Sequence, residues 1–289
     1  MLNVIFLTSD KAHSSNDNQL RLPRAFKKLG CKPKVLDHAD IQVNSNQLFL
    51  GNTLADSYDL IWPLGFGDQS TFLDRMQLLS LARNEQLVND PKALIFLHGK
   101  QLWSNYMPET HISNNVEKLS NIISSGGKWV CKPTAGSFGT NVSFCSHDEN
   151  PIPILEALTV GKNGSKPKYC IVQRYLPEIQ LGELRTIIAG GDLIGSYLRI
   201  PKDGLLANVS ANADIRRAKP TIRQLRILRE LTSDLYENGI KFAAIDLVGE
   251  HLMEVNIANP GGLQSLETLY AQDLSVNVAK SIINSLTGS

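Results

Sequence analysis

The sequence predicts a mixed α/β protein, with an open parallel α/β domain first and a half richer in antiparallel strands behind it. Three observations carry this expectation. Short apolar strands alternate with an amphipathic helix over residues 4–62, a pattern that pairs strands in parallel. Farther on, pairs of strand-like runs are separated only by Gly190-Gly191-Asp192 and Gly249-Glu250, turns that join antiparallel neighbours. Between these regions, two short strands flank a loop of small residues, Pro133 to Thr140.

The elements follow in order. Val4-Ile5-Phe6-Leu7 is a strand of the buried type, and MLNVIFLTSD reads as this first strand and not as a secretory signal. Leu20 to Leu29 forms an amphipathic helix closed by Gly30, and Lys34-Val35-Leu36 is the second strand. Ile41 to Leu50 is hairpin-like, and Leu60-Ile61-Trp62 is the third strand. A longer helix is expected over Ser70 to Arg83, with Phe72, Leu73, Met76, Leu79 and Leu81 on or near one stripe. Val88 opens a short strand, and Asp90 with Pro91 marks a helix start, the first as N-cap and the second in the opening turn. A domain boundary is placed here. Strands are then expected at Lys128 to Cys131, Val142 to Cys145, Tyr169 to Gln173, Leu184 to Ala189, Leu193 to Arg199, Ala243 to Val248 and His251 to Val255. Helices over Thr221 to Asn238 and near Leu274 to Leu286 complete this half, with no internal repeat.

Composition narrows the function classes. The 289 residues, 42% of them hydrophobic, suffice for two domains or one large one. With 29 basic against 28 acidic side chains, the chain lacks the basic surplus that binding nucleic acid requires. The longest apolar runs, such as Ala93 to Leu97, fall far short of the ~20 residues that span a bilayer. Cys31, Cys131, Cys145 and Cys170 stand singly, without metal or redox spacing, which points to reduced thiols in a cytoplasmic protein.

Two stretches carry chemistry. In the hairpin Ala244 to Asn256, Glu254 and Asn256 are two apart and face one side of a strand, and a suitable register brings Asp246 alongside them. Three oxygen-bearing side chains among apolar neighbours suit a hard cation such as Mg²⁺; the same spacing also suits a solvated hairpin edge. In the loop, Gly136 and Gly139 would let the backbone approach a phosphate, Ser137 and Thr140 add hydroxyls, and Lys132 stands at the strand exit. No Walker pattern follows, and a plain hairpin turn is the competing reading. Arg223, Arg226 and Arg229 recur at helical spacing and read as a solvated helix face.

Taken together and in order, these segments resemble the ATP-grasp superfamily and, within it, the bacterial glutathione synthetases. The resemblance covers nearly the whole chain and is strongest over its last two thirds. It implies an N-terminal α/β domain over residues 1–90, a small subdomain with a phosphate-covering loop over 91–168, and a large subdomain with the metal site over 169–289. It implies ATP and Mg²⁺ as cofactors. Asn89-Asp90-Pro91 through Lys100 looks like the family's helix delivering a first nucleotide-binding lysine, and Val130-Cys131-Lys132-Pro133 like the strand carrying the second. Gly136, Ser137, Phe138, Gly139 and Thr140 fall on the mobile loop over the phosphates. Tyr169 to Pro177 resembles the hinge, where Gln173 and the backbone of Tyr175 and Leu176 would read the adenine edge, with Arg174 between them. Gly182-Glu183-Leu184-Arg185 matches an acidic-x-Arg pattern that makes Arg185 a phosphate ligand, and Asp246, Glu254 and Asn256 fall on the magnesium triad.

The acceptor half departs from the resemblance. Arg199-Ile200-Pro201 and Asn208 are similar to the family, but the segment between them is short and carries Leu205-Leu206-Ala207 in place of polar residues. Trp62-Pro63-Leu64-Gly65-Phe66-Gly67-Asp68 stands in place of a charged turn and offers no cation. The expectation is an ATP-dependent carboxylate–amine ligase that forms an amide, ADP and phosphate through an acyl phosphate held by Arg199 and Asn208. Its substrates would be amino acids or peptides, with an acceptor less acidic than that of glutathione synthetase. The alternative is a nucleotide-binding regulatory or scaffold protein that keeps the fold and no longer ligates. Neither nucleic acid nor membrane is an expected partner, and a homo-oligomer is left open.

Overall fold

The computed structural model describes residues 1–9, 16–134, 141–160, 168–202 and 213–287, with the side chains of Lys100 and Thr287 outside the description. The chain opens with β1 (Asn3–Leu7), α1 (Asn18–Lys28), β2 (Lys32–Leu36), the meander β3 (Ile41–Asn44), β4 (Gln47–Leu50) and β5 (Thr53–Leu54), and then β6 (Leu60–Pro63). β1, β2 and β6 form a parallel sheet in the order β2-β1-β6, as the strand and helix alternation predicts. Val4 to Leu7 and Leu60 to Trp62 are buried, because helices and the large subdomain cover both faces of this sheet.

α2 (Phe72–Leu79) is shorter than the helix expected over Ser70 to Arg83. Asp68 Oδ1 accepts from the Ser70 backbone N and hydroxyl, which winds residues Gln69–Thr71 into a 3₁₀ turn ahead of it. Ser80 ends it by donating its hydroxyl to the Met76 carbonyl. The strand expected at Val88 reduces to a single parallel bridge, Ile61 to Leu87. α3 (Pro91–Phe96) starts as predicted, Asp90 accepting from Lys92 N. It ends before Lys100, which instead opens a 3₁₀ segment, Lys100–Tyr106.

The small subdomain comprises β7 (Thr110–Ser113), α4 (Val116–Ser124), β8 (Lys128–Pro133), β9 (Ser143–Ser146), α5 (Ile152–Thr159) and β10 (Cys170–Arg174). Its antiparallel sheet runs β7-β10-β8-β9. β10 therefore sits inside this sheet, whereas the sequence reading groups residues from 169 onward with the large subdomain. α4 and α5 pack on one face, around Trp129, Cys131, Cys145, Cys170 and Val172. All four cysteines are free and buried, and burial pushes the Cys131 thiol up to about 12 and that of Cys170 to about 11. Such thiols hold their protons and are poor nucleophiles.

The large subdomain holds β11 (Glu183–Ala189), β12 (Asp192–Ile200), β13 (Asp214–Arg217), α6 (Ile222–Glu237), β14 (Phe242–Val248), β15 (His251–Asn256), α7 (Leu263–Tyr270) and α8 (Leu274–Thr287). Its sheet runs β13-β12-β11-β14-β15, with both predicted hairpins, β11–β12 and β14–β15, at its centre. A Thr221/Gln224 capping box starts α6, whose Leu228, Leu231 and Leu235 cover one sheet face. Arg223 and Arg226 lie on its solvated side, as their spacing predicts. α8 returns to pack on α1. Phe6, Phe26, Trp62 and Phe242 then form one aromatic cluster, with centroids 5.1–6.2 Å apart, that joins the N-terminal sheet to the large one. No helix of the described residues is long and apolar enough to cross a membrane.

Candidate active site

The open face of the small sheet carries the first half of the site. Strand alternation puts Lys132, Ile171, Gln173, Thr110 and Ile112 on the side away from α4 and α5. Lys132 Nζ donates to Gln173 Oε1 at 2.8 Å, and Gln173 Nε2 donates to Thr110 Oγ1 at 2.9 Å. Gln101, Met107 and Met253 close the opposite wall. Met253 reaches it because the β14–β15 register slips between Asp246 and Leu247, and such a bulge re-aims a side chain.

Several residues that the resemblance assigns to nucleotide binding make contacts within the chain. The Gln173 amide accepts from Lys132 and donates to Thr110, so it orients the lysine and keeps one acceptor and one donor position in reserve. Arg174 points to the helix-covered face, where its guanidinium lies 3.7 Å from the Trp129 ring centroid and pairs with Glu109 at 2.6 Å. The Tyr175 backbone N donates to the Lys128 carbonyl and its ring packs on Phe144; the Leu176 carbonyl accepts from Ile179 N. Gly136, Ser137, Phe138, Gly139 and Thr140 lie outside the described residues, as do Asn208 and Leu205 to Ala207; so does the side chain of Lys100.

The second half of the site is a buried ionic cluster on the large sheet. Asp246 stands opposite Arg185 on one side and Glu254 on the other, and Glu183 stands opposite Arg199. Arg185 grips Asp246 with a two-pronged pair, Nε to Oδ1 at 2.8 Å and Nη2 to Oδ2 at 2.6 Å. Arg199 Nη2 reaches Asp246 Oδ2 at 2.8 Å and Glu183 Oε2 at 2.5 Å. Burial pushes the Asp246 carboxyl up, but the two guanidiniums outweigh it and hold it below the usual range. Burial, against Arg199 and with the repulsion of Asp246, pushes the Glu183 carboxyl up to about 7. The sequence motif contained Glu183, yet only the sheet register identifies it as part of the cluster.

Three buried donors here have no hydrogen-bond partner among the described residues: Arg199 Nε, Asn256 Nδ2 and the Tyr197 hydroxyl. Native interiors leave few such groups, which makes these three the candidates for contact with a ligand. Gly262, at φ +113°, approaches this place closely without a side chain; a Cβ there would sit 2.6 Å from the Tyr197 oxygen and 3.1 Å from Arg185 Cδ.

The donor set fits Mg²⁺ with one change of emphasis. Asp246 has about four acceptor positions and the arginines fill three of them. Glu254 and Asn256 would therefore be the principal ligands and Asp246 a lesser one. Among the described residues no three His, Cys, Asp or Glu side chains are placed to hold a metal, so a cation here depends on the Asn256 oxygen. The Trp62 to Asp68 turn also differs from expectation. Arg75 of α2 reaches back under it and donates Nη2 to the carbonyls of Phe66 at 2.7 Å and Asp68 at 2.6 Å, so the turn does have a cation beneath it.

Comparison with known proteins gives the family and the fold. The family model for the prokaryotic glutathione synthetase ATP-grasp domain matches residues 98–271. Glutathione synthetase of Prochlorococcus marinus is 27% identical over 218 residues, which cover 73% of this chain and 70% of that protein. That of Gloeobacter violaceus is 30% identical over 191 residues, covering 65% of this chain and 56% of the relative. Among solved structures, D-cycloserine synthetase DcsG superposes with a TM-score of 0.67 at 14% identity over 98% of this chain and 99% of the other. The macrocyclase MdnC of Microcystis aeruginosa, bound with the precursor peptide MdnA, gives 0.69 at 15% over 98% and 100%. Those two likenesses show the fold, which is the ATP-grasp fold expected from the sequence. The matched profile takes in Lys132, Arg185, Arg199, Asp246, Glu254 and Asn256, and the chain belongs to the prokaryotic glutathione synthetase ATP-grasp family of ligases.

Proposed function

We propose that this chain is an ATP- and Mg²⁺-dependent carboxylate–amine ligase acting on an amino acid or peptide through an acyl phosphate. The observation that carries the reading is the buried Arg185–Asp246–Arg199 cluster, with donors of Arg199, Asn256 and Tyr197 left unpartnered among the described residues. The γ-phosphoryl group of ATP passes to a substrate carboxylate oxygen, ADP leaves, and an amine then attacks the acyl carbon and expels phosphate while losing a proton. Lys132, held by Gln173, supplies a fixed charge to the phosphates. Arg185 and Arg199 present charge where the transferred group becomes most anionic. A preorganised donor of this kind is worth roughly 2.7–4 kcal/mol in a site closed to water. Mg²⁺, when bound at Glu254, Asn256 and Asp246, supplies charge neutralisation and a template for the phosphates.

The test is ADP formation by the purified protein with ATP and Mg²⁺ against a panel of carboxylates and amines. The reading requires ADP only when both a carboxylate and an amine are present, with an amide recovered in equal amount. ATP binding without such turnover across the panel would favour the non-ligating binder.

A further inference from the structure

In open parallel sheets, ligands bind beyond the carboxyl ends of the strands. At the ends of β2, β1 and β6 the fold gathers Ser9, Asp37, His38 and the turn Leu64 to Asp68. Arg75 is 6% exposed there. It donates Nε to Thr71 Oγ1 at 3.1 Å and Nη2 to the Phe66 and Asp68 carbonyls. Its Nη1 has no hydrogen-bond partner among the described residues. A Cβ on Gly67, whose φ is +60°, would fall 2.8 Å from Arg75 Nη1 and 2.9 Å from His38 Nδ1, so both nitrogens face the turn at a residue without a side chain.

The neighbouring carboxylates are engaged with other groups. Asp68 Oδ1 accepts from Ser70 N and Oγ at 2.8 and 2.7 Å, and Asp37 Oδ1 accepts from Ala39 N and Ser9 Oγ at 2.8 and 3.1 Å. Among the described residues, no carboxylate comes within ion-pair distance of Arg75, and burial pulls its pKa down ahead of the opposing effect of Asp68 and Asp37. A buried cation short of counter-charge is costly unless something anionic joins it. The turn is also tied to the ionic cluster. Gly65 N donates to the Ala258 carbonyl at 3.0 Å, Asn18 Nδ2 to Asn259 Oδ1 and the Pro260 carbonyl at 3.0 and 2.9 Å, and Arg185 Nη1 to the Gly261 carbonyl at 3.1 Å. The connector that follows Asn256 therefore touches both places.

We propose that Arg75 is a specificity-determining residue that anchors a carboxylate of the amino-acid or peptide substrate at the strand ends of the N-terminal sheet. The inference rests on the ligase reading above and names what that substrate must carry: a carboxylate besides the one that is activated, or the carboxylate of the amine partner.

Steady-state ADP formation tests it with amino acids and γ-glutamyl dipeptides, each as free acid and as carboxamide, on wild type, R75M and R75K. Wild type should favour the acid of the responding substrate. R75M should raise the KM of the acid about ten- to a hundredfold, the worth of one charge-assisted contact. The KM of the amide and of ATP should stay as they were, and R75K should restore part of the preference. An acid-to-amide ratio unchanged in folded R75M, or no preference in wild type, would overturn the proposal while leaving the ligase reading intact. If R75M does not fold, R75K decides: an unchanged ratio overturns the proposal, and a selective loss on the acid supports it. Absence of ADP with every pair, despite ATP binding by calorimetry, would overturn both.

Discussion

Replacing Glu183 by Gln tests the electrostatics of the buried cluster, because Gln copies the protonated carboxyl in shape and charge. Burial lifts this carboxyl from 4.5 to about 7 in the folded protein. At 1.36 kcal/mol per pKa unit, the shift corresponds to about 3 kcal/mol. Between pH 4.5 and 7 the folded state holds a proton that the unfolded state has released, so wild-type stability should fall as pH rises through this window and level off above it. Asp246 acts in the opposite sense: held below 3.8, it contributes stability above that pH and loses it as pH falls further. The E183Q variant should match wild type near pH 5 and exceed it by about 3 kcal/mol at pH 8, or roughly 6–12 °C in Tm for a chain of this size. Thermal melts of both proteins at pH 5, 6, 7 and 8 check it. If the difference between them does not change with pH, or if E183Q is the less stable protein at pH 8, the carboxylate is ionised throughout and its pair with Arg199 prevails over burial.

Three further outcomes follow from the site. Lys132→Ala, and separately Lys100→Ala, should weaken ATP about ten- to a hundredfold in calorimetry and leave adenosine nearly unaffected, each charge-assisted contact being worth roughly 1.5–3 kcal/mol; unchanged ATP affinity in both would exclude this face. Glu254→Gln keeps the shape but removes a ligand charge, so turnover should drop by orders of magnitude and require more Mg²⁺ with an unchanged melt, whereas near wild-type turnover at the same Mg²⁺ dependence would remove Glu254 from the metal site. Gly262→Ala places a Cβ against the Tyr197 hydroxyl at a φ of +113°, and should lower stability by roughly 1–3 kcal/mol in urea unfolding and disturb Arg185; a neutral effect would mean that the connector shifts freely.

What the sequence alone determined is mostly local. Strand and helix alternation in residues 4–62 gave a parallel sheet, short Gly turns gave the β11–β12 and β14–β15 hairpins, and the Asp90 and Thr221 starts were legible because a cap is made within three residues. α4, α5 and α7 were legible in principle and missed; Asn115 caps α4, and Val116, Leu119 and Ile123 follow at helical spacing. The ordered motifs identified the family, because six weak matches at fixed intervals are jointly specific. Tertiary structure decided the rest, because side chains far apart in sequence meet only through sheet order and register. β10 enters the small sheet between β7 and β8, which no local pattern encodes. Asp246 finds Arg185 61 residues away and Arg199 on the strand beyond, so a residue legible as a metal ligand is first the partner of two arginines. The Trp62 to Asp68 turn reads as lacking a cation until α2 folds back and brings Arg75 beneath it. Periodicity fixes which face a side chain takes, but pairing of buried charges is settled by which elements pack together, since only there does desolvation make an unpaired charge expensive.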